Sequence, residues 1–325
     1  MSSEPDATVH PLDRRRDPSR VALVRRLAAE VAARHGADLA RMRRANGYSH
    51  ATWVGEGIAV RIAHDPGDMA REVALVRALP REVGHPEILG AGTVEGHGWI
   101  VTREVRGRNL QDVWRALTSS QQRQAVQQLW ERARAAHRAT PALQAHVESH
   151  GGYVPETLED ALAAAGRAEG ALDLPEGRRS RLRRIIGEYF RAAPDAAQVV
   201  AHGDLALMNA LWDDEVVALL DFEFAVRGPV EIDLARLMCE ARVSEDGDHV
   251  DSAAGDAAAG IAARGMDPVR GRVLLHGAAV LDQLRDLDIW LGHDDIRESA
   301  QLWRPGRLLS GLLDPEGGYL APVLR

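Results

Sequence analysis

The sequence contains no lysine, and all 40 of its basic residues are arginine. This absence excludes enzymes whose chemistry depends on a lysine amine. P-loop nucleotide hydrolases need a Gly-Lys pair in their phosphate loop, and pyridoxal phosphate enzymes need a lysine that forms a Schiff base. The absence of lysine therefore excludes both of these enzyme classes.

Cysteine and long apolar runs are also scarce. Cys239 is the single cysteine, so an internal disulfide is excluded, as is a Cys-x-x-Cys metal or redox motif. The first residues carry no apolar segment of signal-peptide length, and no run approaches the about 20 apolar residues that span a membrane. We expect a cytoplasmic protein that does not contact a membrane.

The remaining composition is that of a folded globular protein. Hydrophobic residues make up 45% and charged residues 27% of the 325-residue chain, whose formal net charge is −8. The arginines are dispersed among acidic residues without interleaved aromatic residues, which argues against nucleic-acid binding. A small-molecule partner is favoured, and nothing in the composition indicates an oligomeric state.

The order of patterns along the chain indicates an α+β protein with two unequal domains. Residues 1–19 are polar and are expected to form a loose tail, with a first domain over residues 20–106 and a second over residues 107–325. The first domain begins with a helical apolar pattern over Arg20–Leu39, and turn and β-favouring residues in Arg43–Ala63 then predict a small antiparallel sheet.

The rest of the first domain contains one more helix and one more strand. Asp68 is the expected N-cap of a helix that stops at Pro80, and Trp99–Val105 is the expected strand. The second domain is predicted to be mostly helical, with a hairpin of "NALW" and "EVVALLDF" around the turn at residues 213–214.

The stretch "HGDLALMN" is the first candidate for chemistry. Asp204 and Asn209 lie five residues apart in a loop, and the predicted hairpin returns the chain so that Asp221 comes beside them. Two carboxylates and an amide carbonyl suit a hard divalent cation such as Mg²⁺. The alternative is a loop whose Asp and Asn residues only cap turns.

These motifs resemble those of the aminoglycoside phosphotransferase-like small-molecule kinases. "HGDLALMN" resembles the HGDLxxxN loop of that family, and "LLDFEFAVRGPVEIDLA" resembles its metal-binding segment. The resemblance implies that Asp204 is the catalytic base and that Asn209 and Asp221 are the Mg²⁺ ligands. His202 and Asp233 would support the loop.

The resemblance extends into the first domain. "NGYSHATW", with Gly47 and Ser49, is similar to the loop over the nucleotide phosphates. Arg61 stands where most kinases have a lysine that holds the α and β phosphates, and Glu72 would pair with it. Arginine keeps the positive charge of lysine and can bind a phosphate group with two hydrogen bonds.

The strand that contains "WIVTREVRG" resembles the segment that joins the two lobes in this family. Backbone groups of Arg103 and Val105 would meet the adenine. The implied fold is the two-lobed protein-kinase-like fold, with an antiparallel sheet in a small N-lobe and a larger, mostly helical C-lobe. The implied cofactors are ATP or GTP with Mg²⁺.

The expected function is transfer of a γ-phosphate to a hydroxyl of a small molecule, such as an aminoglycoside or another antibiotic. A metabolic kinase of an amino alcohol, sugar or amino-acid derivative is an alternative, and a nucleotide-binding pseudokinase is another. Residues 240–256 and 281–300 are acidic and would attract a cationic acceptor. Solvated helix faces explain the same composition.

Overall fold

The structure is a computed structural model that describes residues 17–45, 50–147, 155, 157–244, 247–291 and 300–324. The chain divides into two units. The first consists of Met1–Ala78 and His85–Arg106, and the second of Leu79–Gly84 and Gly107–Arg325. The segment Leu79–Gly84, which lies inside the predicted first domain, therefore clusters with the second unit.

The first unit is built on a five-stranded antiparallel sheet with the strand order β1-β2-β3-β5-β4. Its helices are α1 (Pro18–Arg34) and α2 (Ala70–Ala78). Its strands are β1 (Arg43–Ala45), β2 (His50–Gly55), β3 (Ile58–Ala63), β4 (Ile88–Val94) and β5 (His97–Arg103).

The alternating sequence of β3, "IAVRIA", explains how the sheet is packed on both faces. Ile58, Val60 and Ile62 are buried on one face, in one hydrophobic cluster with the apolar residues of α1. Arg61 belongs to the other set of alternating positions in β3. Met69, one residue before α2, and Val73, within it, pack on Ile100 of the neighbouring strand β5.

Two elements of the first unit differ from the sequence prediction at their ends. The first helix ends at Arg34 rather than at Leu39, because the chain reverses at Gly36, whose φ is +76°. The strand predicted over Trp99–Val105 runs from His97 to Arg103. The predicted N-cap is present, since Oδ1 of Asp68 accepts a hydrogen bond from the N–H of Ala70 at 3.1 Å.

The second unit is mostly helical. Its strands are β6 (Arg108–Asn109), β7 (Gln198–Ala201), β8 (Ala210–Trp212), β9 (Val216–Leu219) and β10 (Val226–Pro229). Its helices are α3 (Leu110–Val113), α4 (Ser119–Arg138), α5 (Thr140–Leu143), α6 (Leu158–Ala171), α7 (Glu176–Ala192), α8 (Glu231–Arg242), α9 (Ala253–Gly265), α10 (Gly271–Leu291), α11 (Ala300–Leu312) and α12 (Ala321–Leu324).

Local sequence signals set the ends of these helices. Thr118 and Gln121 form a capping box at the start of α4, in which each side chain bonds the backbone N–H of the other residue. Ser252 caps α9 through the N–H of Gly255. Helix α10 packs against α6, α7, α8 and α11, and α4 packs against α9, and these helices carry most of the buried apolar residues of the second unit.

Two small antiparallel sheets hold the loop that carries the candidate site. Strands β7 and β10 form one, and β6, β8 and β9 form the other in that order. The loop of residues 202–209 runs from the end of β7 to the start of β8. The predicted hairpin is present as β8 and β9, and the α+β class is confirmed by the sheet of the first unit and the helices of the second. Within the described residues, no helix combines the length and the low polarity that a membrane span needs.

Candidate active site

The loop of residues 202–209 is fastened to the start of helix α8 by one buried carboxylate. Oδ2 of Asp233 accepts a hydrogen bond from the N–H of His202 at 2.9 Å, and Oδ1 accepts one from the N–H of Gly203 at 3.0 Å. Nε2 of His137, at the end of α4, donates to Oδ2 at 2.8 Å. The two backbone hydrogen bonds fix the direction in which the chain enters the loop.

Asp233 is ionised in this setting. Burial by itself would raise the pKa of this carboxyl, but the hydrogen bond and charge of His137 and the N–H of His202 lower the pKa below its ordinary value. A buried carboxylate that accepts three hydrogen bonds is costly to remove, because each donor would then lack a partner. Asp233 therefore ties the loop to helices α4 and α8 through these hydrogen bonds.

The ring of His202 is also bound on both sides. Its Nε2 lies 2.8 Å from the carbonyl oxygen of Leu220, which can only accept, so Nε2 carries the proton. Its Nδ1 accepts a hydrogen bond from the N–H of Asp204 at 3.2 Å. These contacts join the loop to the end of the β8–β9 hairpin and use both ring nitrogens. His202 thus has the geometry of a structural residue.

Asp204 and Asn209 are in direct contact across the loop. Nδ2 of Asn209 donates to the backbone oxygen of Asp204 at 2.9 Å and to its Oδ2 at 3.0 Å. Burial by itself would raise the pKa of Asp204, but the positive charges of Arg236 and Arg285 lower the pKa below its ordinary value. Asp204 is therefore a carboxylate at neutral pH and a hydrogen-bond acceptor.

Asp221 follows strand β9 and lies near Asn209 along the hairpin. The N–H of Leu220 donates to the backbone oxygen of Asn209 at 2.8 Å, which places Asp221 one residue beyond this pair. The backbone of Asp221 is left-handed, with φ of +61°, a conformation that Asp and Asn tolerate better than most residues.

The chemistry of these two side chains fits a magnesium ion. Both hydrogen bonds of the Asn209 side chain are donated by Nδ2, so within the described residues no donor occupies its Oδ1. An amide oxygen and a carboxylate are hard ligands of the type that Mg²⁺ prefers, and Mg²⁺ keeps further positions for water and phosphate. Asn209 and Asp221 would be the residues that hold the ion.

The first unit contains the ion pair that the resemblance implied. Nη2 of Arg61 in β3 contacts Oε2 of Glu72 in α2, and both side chains are mostly buried. Arg61 occupies the centre of the sheet, opposite Thr52 in β2 and Ile100 in β5. The pair arises because α2 covers the sheet face to which Arg61 belongs.

The remaining predicted nucleotide contacts lie at the end of β5 or outside the described residues. The N–H of Arg103 donates to the carbonyl oxygen of Glu87 at 2.8 Å, so this N–H is already used. No such bond involves the N–H of Val105 within the described residues. Gly47 and Ser49 lie outside the described residues.

Sequence reasoning missed a set of charged residues around Asp204. We call this set the Asp204 cluster, which consists of Asp204, Arg236, Glu240, Asp282, Arg285 and Asp286. Arg236 lies three residues after Asp233 on the same helix, a spacing that offered a signal. Arg285 offered none, because it lies in α10, 82 residues after Gly203.

The cluster also bears on the acidic stretches of the sequence. Glu240, Asp282 and Asp286 belong to them, and their side chains are 12%, 9% and 20% exposed. They face arginines rather than water, so solvated helix faces do not account for these three acids. Burial raises the pKa of Asp282, which the neighbouring arginines oppose.

A family-wide sequence profile agrees with this arrangement. The profile of the phosphotransferase enzyme family matches residues 42–272, which is more than half of the chain. The chain belongs to this family and is a small-molecule phosphotransferase. The sequence matches none of the curated proteins.

Solved structures show that the fold is that of the small-molecule kinases. A choline/ethanolamine kinase family protein from Mesorhizobium loti has a TM-score of 0.63 at 17% identity, over 94% of this chain and 99% of that chain. The GDP complex of aminoglycoside 2'-phosphotransferase-IIIa has a TM-score of 0.60 at 18% identity, over 82% and 89%. A ternary complex of APH(4)-Ia with AMP-PNP and hygromycin B has a TM-score of 0.60 at 16% identity, over 88% and 97%. The predicted kinase-like fold is confirmed.

Proposed function

We propose that this protein transfers the γ-phosphate of ATP or GTP to a hydroxyl group of a small, cationic acceptor. Asp204 accepts a hydrogen bond from that hydroxyl and takes its proton as the new bond forms. The acceptor oxygen bonds to the γ-phosphorus, and the bond to the β–γ bridging oxygen breaks, which leaves the nucleoside diphosphate. The transfer is direct, without a phosphoenzyme.

The observation that carries this proposal is the contact between Asp204 and Asn209 in a loop fastened by Asp233. An ionised carboxylate in a fixed orientation suits phosphoryl transfer, in which positioning and charge stabilisation dominate and proton transfer demands little basicity. A lowered pKa therefore does not argue against Asp204 as the base. The lowered pKa favours a role in which the carboxylate of Asp204 first aligns the acceptor hydroxyl and then receives its proton.

The nucleotide would be held by the residues that the family resemblance implied. Arg61, oriented by Glu72, would bind the α and β phosphates, and the backbone around Arg103 and Val105 would bind the base. Asn209 and Asp221 would hold Mg²⁺, which supplies positive charge to the phosphate oxygens when it is bound. The GDP and AMP-PNP in the similar structures support nucleotide binding.

Two acceptor classes fit a cationic preference. Hygromycin B in the APH(4)-Ia complex supports an aminoglycoside or another antibiotic. The choline/ethanolamine kinase family protein, which aligns over 99% of its length, supports an amino alcohol. The Asp204 cluster contains four carboxylates and two guanidinium groups, a formal charge of −2 that favours a positively charged acceptor of either class.

The test is the substitution Asp204→Asn, with release of nucleoside diphosphate as the measurement. We expect transfer to fall by at least about 100-fold, since general base and positioning effects are each of that order, while nucleotide affinity stays near that of wild type. Asp213→Asn is the matched control, because Asp213 is an exposed carboxylate in the turn of the same hairpin. Unchanged turnover of Asp204→Asn would contradict the proposed role.

A screen of aminoglycosides, macrolides, peptide antibiotics and amino alcohols identifies the acceptor class. Reaction with neutral or anionic acceptors alone would contradict the cationic preference. A pseudokinase predicts nucleotide binding without Mg²⁺-dependent turnover in any member of the screen, whereas a phosphotransferase predicts turnover with at least one.

A further inference from the structure

Two arginines approach the same oxygen of Asp204. Nε of Arg236 lies 3.1 Å from Oδ1 of Asp204, and Nη2 of Arg285 lies 3.7 Å from it. The side chains of the two arginines are 10% and 4% exposed, so their charges are weakly screened by water. The carboxylate is therefore attracted through Oδ1 from two helices, α8 and α10.

Arg285 also contacts the backbone next to the carboxylate. Its Nη1 donates to the carbonyl oxygen of Gly203 at 3.2 Å, one residue before Asp204. One guanidinium group thus touches both the main chain of the loop and the side chain that the loop presents. Fixing both restricts rotation of the Asp204 side chain more than a contact with the carboxylate alone.

The acids of α10 hold Arg285 in place. Its Nη2 lies 2.8 Å from Oδ1 of Asp282 and 3.1 Å from Oδ1 of Asp286. A planar guanidinium group with several hydrogen bonds is rigid, because its donors leave in fixed directions. The guanidinium group of Arg285 is therefore held in one orientation, in which it can fix the position of the loop.

The burial of Oδ1 decides which oxygen of Asp204 can meet a substrate. Oδ1 is buried from solvent and accepts no hydrogen bond of good geometry in the described residues, so the arginines hold it by charge alone. Oδ2 accepts one hydrogen bond from Nδ2 of Asn209, at 3.0 Å. A carboxylate oxygen has room for a second donor, so Oδ2 is the oxygen available to a hydroxyl group.

We propose that Arg285 is a positioning residue for phosphoryl transfer, which holds Oδ1 of Asp204 and the carbonyl of Gly203 so that Oδ2 faces the acceptor hydroxyl. Arg236 supports the same oxygen from helix α8. This inference rests on the proposed function. Arg285 lies beyond residue 272, where the match to the phosphotransferase family profile ends, so it is a feature of this chain rather than of the matched region.

The experiment compares kcat and KM of wild type, Arg285→Gln and Arg285→Lys. The assay follows release of nucleoside diphosphate with Mg²⁺ and ATP, and uses water, hygromycin B and choline as acceptors. We expect Arg285→Gln to lower kcat by about 10- to 100-fold, because small misplacement of a reacting group has effects of this size. The KM values should change less than about twofold, because the role proposed for Arg285 is to hold the loop rather than to bind a substrate. Arg285→Lys keeps the charge and should recover part of the loss.

Two further variants separate positioning from folding. Arg285→Gln combined with Asp282→Asn keeps the charge of the Asp204 cluster at −2, so it should fold even if the single variant does not, and it should show the same loss of kcat. Asp288→Asn is the control on the same helix, because it breaks only the exposed ion pair with Arg167, at 2.6 and 2.9 Å. Its kcat should equal that of wild type.

Each outcome has a defined meaning. A kcat of the double variant equal to wild type contradicts the inference, and so do parallel changes of kcat and thermal stability in all Arg285 variants. Equal losses in Arg285→Lys and Arg285→Gln contradict it as well, because the charge would then be irrelevant. A wild type that turns over ATP with none of the acceptors, including the wider screen, contradicts the proposed function instead, and the inference falls with it.

Discussion

Nε2 of His137 lies 2.8 Å from Oδ2 of Asp233, and this buried pair joins the end of one helix to the start of another. The same carboxylate accepts the backbone N–H groups of His202 and Gly203. The contact thus links the helical core to the loop that carries Asp204. Loss of the Asp233 carboxylate would therefore affect both the contact between the two helices and the backbone of the loop.

Replacing Asp233 with Asn should therefore destabilise the protein. The amide has one acceptor oxygen in place of two and no charge, so about 1.5–3 kcal/mol of unfolding free energy is expected to be lost, the range for a hydrogen bond to a charged group. Urea unfolding followed by circular dichroism measures the loss. Asp173→Asn is the control, because Asp173 is fully exposed and pairs only at 4.0 Å.

The contribution of Asp233 to the unfolding free energy should decrease as the pH is lowered. The folded-state pKa of Asp233 is lowered, so its stabilisation is fully present above the unfolded pKa of about 3.9 and is lost as pH falls through the folded value. The difference in unfolding free energy between wild type and Asp233→Asn should be constant near neutral pH and should close below about pH 4. A difference that widens on acidification would contradict the assignment of Asp233 as an ionised group.

Gly203 should not tolerate a side chain. Its φ is +80°, and a Cβ atom there would lie 2.0 Å from the backbone oxygen of Phe224. Gly203→Ala should cost about 1–3 kcal/mol for the strained backbone, and activity should fall because Asp204 follows directly. Gly166→Ala is the control: Gly166 lies inside helix α6 with open space around it, and alanine there should stabilise by about 0.5–1 kcal/mol. Calorimetry of both variants tests the contrast.

Asp221→Asn should weaken Mg²⁺ binding without disturbing the backbone. Asn tolerates the left-handed conformation of this position, but it removes the charge that would attract the cation. We expect the Mg²⁺ concentration for half-maximal activity to rise by about tenfold or more. Asp214→Asn has the same kind of backbone, with φ of +59°, in the exposed turn of the hairpin and should behave as wild type. An unchanged Mg²⁺ requirement in Asp221→Asn would contradict its role as a ligand.

Arg61→Gln should raise the KM for the nucleotide. The substitution removes the proposed phosphate contact and the ion pair with Glu72, and the loss of affinity is expected to be about 10- to 100-fold, as for hydrogen bonds between charged groups. Arg61→Lys should be intermediate, because it keeps the charge but not the planar group. Arg26→Gln, which breaks the exposed ion pair with Glu95, is the matched control in the same unit. Equal nucleotide KM values in all three variants would contradict the proposed role.

Cys239 should report on unfolding. Burial raises the pKa of its thiol to about 12, so the reactive thiolate is scarce in the folded protein. Iodoacetamide should label the native protein slowly and the urea-unfolded protein rapidly. Rapid stoichiometric labelling of the native protein would show that helix α8 opens, since Cys239 is completely buried within it.

Local patterns predicted much of the fold. Turn and β-favouring residues in Arg43–Ala63 predicted the antiparallel sheet to which β3 belongs, and Asp68 was correctly predicted as an N-cap. Strand β4 was not predicted, because its "GAGTV" stretch lacks β-branched and aromatic residues until its end, and pairing with β5 compensates for the weak propensity. The first helix was predicted too long, because the apolar Leu39 continues the pattern beyond the turn at Gly36.

The arrangement of the candidate site was also predicted only in part from local patterns. Asp204, Asn209 and Asp221 lie close in sequence, so the hairpin prediction alone was enough to bring them near one another. The role of Asp233 followed only from the family resemblance, since no spacing rule links it to the N–H groups of His202 and Gly203.

The sequence by itself determined the chemical groups of the candidate site: a base candidate, an amide and a second carboxylate, with an arginine in place of lysine in strand β3. The first three depend on residue type and on spacing within one loop and hairpin, where backbone geometry leaves few choices. Only the tertiary structure decided the surroundings of Asp204. Arg285 reaches it from a helix 82 residues after Gly203, and the packing of helices that places it there depends on the whole core rather than on any local pattern.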